Sequence, residues 1–169
     1  MKESLFEILT RTLKKQVLFD YLTTYPDEFE NAVNIAMGND KPQSWRAAWL
    51  IFHCMKENDS RIKKHLSKIL KLLISLEDGH QREWLKIIER MKLTEDQTSR
   101  LFDACLTIWE DITKSPSVRG TAFRLLMTIV KKYPELREEI DHLTQSHYTE
   151  NLSPGIKNSL VKMLAKLSD

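Results

Sequence analysis

Apolar residues recur three and four positions apart along most of the chain, which is the spacing of one face of an α-helix. Strict alternation, the pattern of a half-buried strand, is not found. Ser115-Pro116 and Ser153-Pro154 have the order of an N-cap followed by a first helical residue. The pattern predicts an all-α protein of ten helices in five pairs, at about 3–12, 13–24, 27–37, 43–56, 60–76, 80–92, 95–112, 116–132, 134–147 and 154–167.

A short pattern led by a cation returns in the second helix of four successive pairs. The cations are Arg46, Arg82, Arg119 and Lys157, at steps of 36 to 38 residues, and a weaker copy surrounds Lys15. Self-similarity at this period is typical of stacked helical hairpins, each of which buries its apolar face against its neighbours. No linker interrupts the pattern, so we expect residues 1–169 to form a single repeat domain.

The recurrent unit resembles a HEAT repeat or its armadillo-like relatives, in which the second helix opens with an apolar residue, then Arg or Lys, then a small or apolar residue three positions later. The copies that match are Trp45-Arg46 with Trp49, Val118-Arg119 with Ala122, and Ile156-Lys157 with Leu160. Gln81-Arg82 departs at its first position. The resemblance implies a right-handed α-α superhelix whose second helices line a concave, partner-binding face.

The motif cation serves as the origin for predicting which side chains face the core. The third, sixth and seventh positions beyond it share one helical face and are expected in the core. The first, fourth, fifth and eighth positions then form a groove that mixes apolar and cationic residues and suits an acidic peptide or protein segment. We predict partner contacts at Lys86, Arg90, Phe123, Arg124 and Lys162. The motif cations themselves are expected to be structural and to hydrogen-bond the preceding turn.

A second surface of interest is a basic stripe on the predicted helix 60–76. Arg61, Lys64, Lys68 and Lys71 are spaced by three, four and three residues, and residues 41–76 carry eight cations against two anions. The stripe is either an ordinary solvated helix face or a docking strip for an acidic protein segment, a nucleic-acid backbone or an anionic membrane surface.

Four tryptophans, Trp45, Trp49, Trp84 and Trp109, are expected to pack in the core, and the alternative is that one or two anchor a partner. Some DNA alkylation repair glycosylases are built from HEAT-like repeats, with aromatic and acidic residues in a basic groove. Trp109-Glu110-Asp111 resembles that arrangement only superficially. It ends a first-in-pair helix, and the net charge of +2 is low for a DNA enzyme.

The remaining composition points away from catalysis. His53 with Glu57, and Glu138 with His142, are pairs at helical spacing without a third ligand, so no metal site is predicted. Neither a phosphate-binding glycine loop nor a nucleophile elbow is present, so no cofactor is expected. The widely separated Cys54 and Cys105 fit reduced thiols in the cytoplasm, and the most apolar stretch, 47–55, is too short to span a membrane.

These observations favour a cytoplasmic, non-catalytic interaction module that binds a protein or peptide on its concave face. Nucleic-acid binding through the basic stripe is the second hypothesis, and a glycosylase-like enzyme is the third. The identity of the partner and the oligomeric state stay open.

Overall fold

The computed structural model describes residues 3–167, which form twelve α-helices, three short 3₁₀ turns and no strand. The chain divides into two compact units: unit 1 extends to Lys92, and unit 2 begins at Leu93. The all-α prediction is confirmed, and eight of the ten predicted helices begin and end within three residues of their expected limits. The single domain over 1–169 and the superhelix stay predictions, and residues 1, 2, 168 and 169 lie outside the described part.

Unit 1 is built around its fourth helix, which packs against α3 on one side and α7 on the other. Its helices are α1 (Leu5–Arg11), α2 (Lys15–Thr24), α3 (Glu28–Ala36), α4 (Gln43–Cys54), α5 (Ser60–Lys63), α6 (Leu66–Leu72) and α7 (Asp78–Glu89), with a 3₁₀ turn at Leu73–Ser75. The continuous helix predicted over 60–76 is wrong. The amide of His65 bonds to the carbonyl of Ile62, three residues back, and the His65 ring contacts Glu30 of α3 at 2.7 Å. This tightened turn separates α5 from α6.

Unit 2 is built around α9, which packs against α8 and α12. Its helices are α8 (Glu95–Glu110), α9 (Pro116–Lys132), α10 (Arg137–Asp141), α11 (Ser146–Thr149) and α12 (Pro154–Ala165), with 3₁₀ turns at Pro134–Leu136 and His142–Thr144. The helix predicted over 134–147 is wrong, because short turns replace it. Only Ile140 and Leu143 of that stretch are buried, and a helix with so few packed residues gains little tertiary support.

Burial along the second helices gives a repeat register that differs from the one based on the cations. Residues 80–88 of α7 and 118–126 of α9 have the same order of buried and accessible side chains, 38 positions apart. Residues 43–51 of α4 match 80–88 at 37 positions, except at Arg46. Gln81 therefore corresponds to Arg119, whereas Arg82 occupies an accessible position.

At this corresponding position Gln81 and Arg119 donate hydrogen bonds to the preceding helical segment, whereas the hydroxyl of Ser44 in α4 does not. Gln81 Nε2 donates to the carbonyl of Leu73 at 2.7 Å, and Arg119 Nε donates to the carbonyl of Trp109 at 2.9 Å. Arg119 also donates to the carbonyl of Tyr148 at 2.7 Å, and its guanidinium lies 4.6 Å from the Trp109 ring centre. These bonds supply donors to carbonyls near the ends of helical segments, and the carbonyl of Leu73 also accepts from the amide of Leu76 at 3.4 Å.

The structural role predicted for the motif cations is observed at three of the four positions. Besides Arg119, Arg46 donates to the carbonyl of Leu9 in the last turn of α1 at 2.7 Å, and Lys157 donates to the carbonyl of Glu150 at 3.3 Å. Arg82 is exposed instead. The cation pattern thus indicates the second helices correctly, but relative to Arg119 it misplaces the copy in α7 by one residue and the copy in α4 by two.

We expect Arg119→Met to lower the free energy of unfolding by about 2–4 kcal/mol, because methionine fills a similar volume but leaves two carbonyls without donors. Arg82→Met removes a motif cation from an exposed position and should change it by no more than about 0.5 kcal/mol. Urea unfolding followed by circular dichroism measures both. Equal losses in the two variants would contradict the role assigned to Arg119.

Candidate functional site

The second helices of unit 1 present a continuous surface of rings and positive charges, here termed the aromatic–cationic face. It consists of Lys15 and Phe19 of α2, Trp49, Phe52 and His53 of α4, Lys86 of α7, and Arg90 directly after α7. The Trp49 ring lies 6.3 Å from Phe19 and 4.6 Å from His53, measured between centres, and His53 lies 5.3 Å from Phe52. His53 is exposed and the other three rings are half-buried, so the cluster lies at the surface and not in the core.

A cation borders the rings at each end of this face. Lys86 Nζ lies 4.2 Å from the centre of the Phe52 ring, and Lys15 Nζ lies 5.0 Å from that of Phe19. Both distances are within the range in which a ring attracts a cation. The rings therefore help to hold the two ammonium groups close to the apolar surface.

Lys86 and Arg90 also have structural partners. Lys86 Nζ pairs at 2.6 Å with Glu83, whose side chain is only 7 % exposed. Arg90 donates to the carbonyl of Phe52 at 2.9 Å, close to the C-terminal end of α4, and pairs with Glu57 at 3.1 Å. Arg90 thus stabilises the end of α4 and contributes charge to the face.

The electrostatic state of the face is reflected in His53. Burial lowers the pKa of His53, and the positive charges of Lys15, Lys86 and Arg90 lower it further, whereas Glu83 acts in the opposite direction. Three cations and one anion therefore act on the His53 ring. This positive surrounding favours an anionic ligand group.

The prediction that Phe123 contacts a partner is wrong. Its side chain is fully buried and its ring centre lies 4.6 Å from that of Trp109. The groove positions predicted for α4 are wrong for the same reason, since Ala47, Leu50 and Ile51 are fully buried. Both errors follow from using the cation as the origin of the repeat.

The other predicted contacts occupy accessible positions. Trp49, Lys86, Arg124 and Lys162 recur along the sequence at steps of 37, 38 and 38 residues. Lys86 is half-buried, and Arg124 and Lys162 are exposed in unit 2. The cation-based register places Trp49 and His53 in the core, whereas both are accessible. The apolar pairs Ala47-Ala48, Trp84-Leu85 and Ala122-Phe123 repeat at steps of 37 and 38 and agree with the burial.

The basic stripe is not the continuous row that the sequence predicts, because the helix is broken between Lys63 and Leu66. Arg61 pairs with Asp59 at 2.7 Å and lies 3.5 Å from the Phe29 ring centre, and Lys64 pairs with Glu30 at 2.9 Å. Lys68 and Lys71 are exposed on α6. Two of the four charges thus face anions of the chain itself, which reduces the attraction that the stripe offers to a polyanion.

Two of the four tryptophans are core residues, as expected. Trp84 and Trp109 are fully buried, and their Nε1 atoms donate to the carbonyls of Ala36 and Leu143. Trp45, in contrast, is 38 % exposed. Because Trp109 is enclosed, it cannot stack on an extruded base beside Glu110 as the glycosylase hypothesis requires.

Chemistry-bearing groups elsewhere in the described residues do not form a reactive cluster. Both cysteines are free thiols, and burial raises the pKa of Cys54 and of Cys105, which keeps them protonated. Within residues 3–167, no group of three His, Cys, Asp or Glu side chains is placed to hold a metal ion. Over the same residues, no helix is long and apolar enough to cross a membrane.

Successive helical hairpins with a repeating buried register define an α-helical repeat protein. A family model described as a HEAT repeat domain matches residues 3–167. The chain therefore belongs to the HEAT repeat family, whose members are generally non-catalytic scaffolds that often mediate interactions. Searches of curated proteins and of solved structures gave no match.

Asp59, the partner of Arg61, should make stability depend on pH in the acidic range. Hydrogen bonds from the Arg61 side chain and from the amides of Lys56 and Arg61 lower the pKa of Asp59 from 3.8 to about 2, although burial opposes them. The ionised carboxylate therefore stabilises the fold above about pH 4, and this contribution is lost as the pH falls to about 2.

We expect Asp59→Asn to lower the free energy of unfolding at neutral pH by about 2 kcal/mol, and the deficit to shrink as the pH approaches about 2. Urea titrations at several pH values measure it. Glu57→Gln, which removes a mostly exposed neighbouring carboxylate, is the matched control and should have little effect. A deficit for Asp59→Asn that does not change with pH would contradict the assignment.

Proposed function

We propose that the chain is a non-catalytic interaction module that binds an acidic, partly apolar peptide or protein segment on the aromatic–cationic face of unit 1. The observation that carries the proposal is the unbroken contact of Phe19, Trp49, His53 and Phe52 at the surface, with Lys15 and Lys86 beside them. In HEAT repeats the second helices line the concave side, so the resemblance implies that this face is concave.

The chemistry of the face specifies the kind of partner. Half-buried aromatic rings offer apolar area that is already ordered, and residues of this type dominate the binding energy of interfaces. The bordering ammonium and guanidinium groups favour carboxylates over cations and steer association. A segment with one or two bulky apolar side chains flanked by Asp or Glu satisfies both requirements.

The proposal includes two further parts. Arg124 and Lys162, which follow Lys86 at steps of 38 residues, are exposed in unit 2 and are proposed as contacts of that unit for an acidic partner. A cytoplasmic location is proposed as well, supported by the two free cysteines, since thiols stay reduced there.

The direct test compares two adjacent charge reversals. Lys15 borders the Phe19 ring, whereas Lys14 precedes α2 and is not part of the face. We expect Lys15→Glu to weaken binding of a labelled synthetic peptide of Leu, Phe and Glu by about fivefold to tenfold, and Lys14→Glu by less than about twofold. Fluorescence anisotropy measures the affinities, and a comparable loss in both variants would argue against a local contact.

Duplex DNA, titrated under the same conditions, addresses the second hypothesis. If the basic stripe binds nucleic acid, the affinity falls steeply with salt and is reduced by Lys68→Glu. Under the present proposal the peptide binds more tightly than DNA and Lys68→Glu leaves its affinity unchanged. Tighter binding of DNA, together with loss in Lys68→Glu, would replace the proposal.

Binding of the acidic peptide should strengthen as the pH is lowered through the titration of His53. Its pKa is lowered in the free protein, so the ring is neutral at pH 7 and gains a positive charge only on acidification. A bound carboxylate favours the charged ring. We expect His53→Gln to remove the extra affinity gained at acidic pH, and an unchanged pH profile in that variant would count against placing the peptide here.

A further inference from the structure

Unit 2 contains a groove of about 600 Å³ that no sequence pattern indicated. It lies between α8 and the segment where the chain passes from α9 through the 3₁₀ turn Pro134–Leu136 into α10. Five side chains give it an apolar surface: Phe102, Leu106, Ile129, Tyr133 and Leu136. Phe102 and Ile129 are only 6 % exposed, and the other three are half-buried. The apolar part is therefore anchored in the core of the unit.

The charged residues of this groove all have the same sign. Glu95, Asp103, Glu135 and Glu139 line it and are exposed, and none of its described lining residues is Lys, Arg or His. Two other acids of α8 have partners within the chain: Asp96 pairs with Arg100 at 2.9 Å, and Glu110 contacts His142 at 3.6 Å. The groove thus combines apolar contact area with four negative charges that no lining cation balances.

We infer that this groove is a second docking site, for a cationic amphipathic segment of a partner protein. Bulky apolar side chains of the segment pack on Leu106 and Tyr133, and its Lys or Arg residues meet the four carboxylates. The inference is independent of the proposed function, because it concerns another unit and a partner of opposite charge. Complementary charge around an apolar centre is the usual arrangement of a selective interface.

Other occupants match the groove less well. A metal ion requires several ligands converging on one point, and no group of three acidic, His or Cys side chains in residues 3–167 does so. Nucleic acid and anionic lipid are repelled by the carboxylates. An uncharged apolar segment makes no ion pair with the four carboxylates, whereas a cationic segment can pair with each of them.

The experiment uses the full chain and two labelled synthetic peptides, one amphipathic helix of Leu and Lys and its counterpart of Leu and Glu. The first should bind with an affinity that decreases as salt is added. Glu139→Lys should weaken this binding about tenfold. Glu138→Lys makes the same change of net charge on the adjacent residue, which does not line the groove, and should weaken it by no more than about threefold.

Further variants keep the test decisive. Glu135→Lys repeats the reversal at another carboxylate, in case Glu139→Lys does not fold by circular dichroism. Leu106→Ser should weaken the same peptide, whereas Lys15→Glu should leave its affinity unchanged, which separates a failure here from a failure of the proposed function. Three results would overturn the inference: absence of binding of the cationic peptide at low salt, equal loss of its affinity in Glu138→Lys and Glu139→Lys, or equal loss of affinity for the cationic and the acidic peptide in Glu139→Lys. Self-association of the chain that Glu139→Lys abolishes would overturn it too, since a second copy would then be the occupant.

Discussion

Carbonyl groups at the C-terminal end of a helix have no donors within that helix, and a stacked helical protein buries many such ends. In this chain, side chains of other helices supply the missing hydrogen bonds. Arg46 reaches the end of α1, and Trp84 of α7 donates to Ala36 at the end of α3. Arg119 of α9 does the same for α8, and Arg90, directly after α7, does so for α4. Each bond fixes the position of the end of one helix against the side of another.

This requirement determines which charges remain for the surface. A buried donor such as Arg119 is enclosed by the elements that it joins, and burial lowers the pKa of its guanidinium without removing its charge at neutral pH. Lys15 and Lys86 lie on the aromatic–cationic face, where the rings of Phe19 and Phe52 hold their ammonium groups near the apolar surface. Arg90 belongs to both sets. The division between structural and available cations therefore follows from helix geometry, and counting cations along the sequence does not reveal it.

Periodicity was sufficient to place most helices, because each of them buries a stripe that repeats every three to four residues. It failed over 60–76 and 134–147, where the contact of His65 with Glu30 and the small number of buried residues interrupt the helix. Those causes are tertiary and leave no clear local signal. The same is true of the acidic groove, which depends on the path of the chain after α9.

The register of the repeat was available in the sequence but was read from the wrong residues. The apolar pairs Ala47-Ala48, Trp84-Leu85 and Ala122-Phe123 recur at steps of 37 and 38, in agreement with burial. Aligning these pairs, and not the cations, moves Trp49 and His53 to the surface and Phe123 to the core. Buried apolar positions are constrained by packing on all sides, whereas a long cation can reach its partner from more than one position.

The equivalence of Gln81 and Arg119 limits how the length of this chain can vary. A deletion of one residue at the start of α9 would turn the buried donor towards solvent and bring a neighbouring apolar side chain against the carbonyl of Trp109. Gains or losses of whole hairpins preserve the pairing of each donor with its carbonyl, and so do changes within the loops. The chain can therefore lengthen or shorten readily only in complete repeats or at its turns.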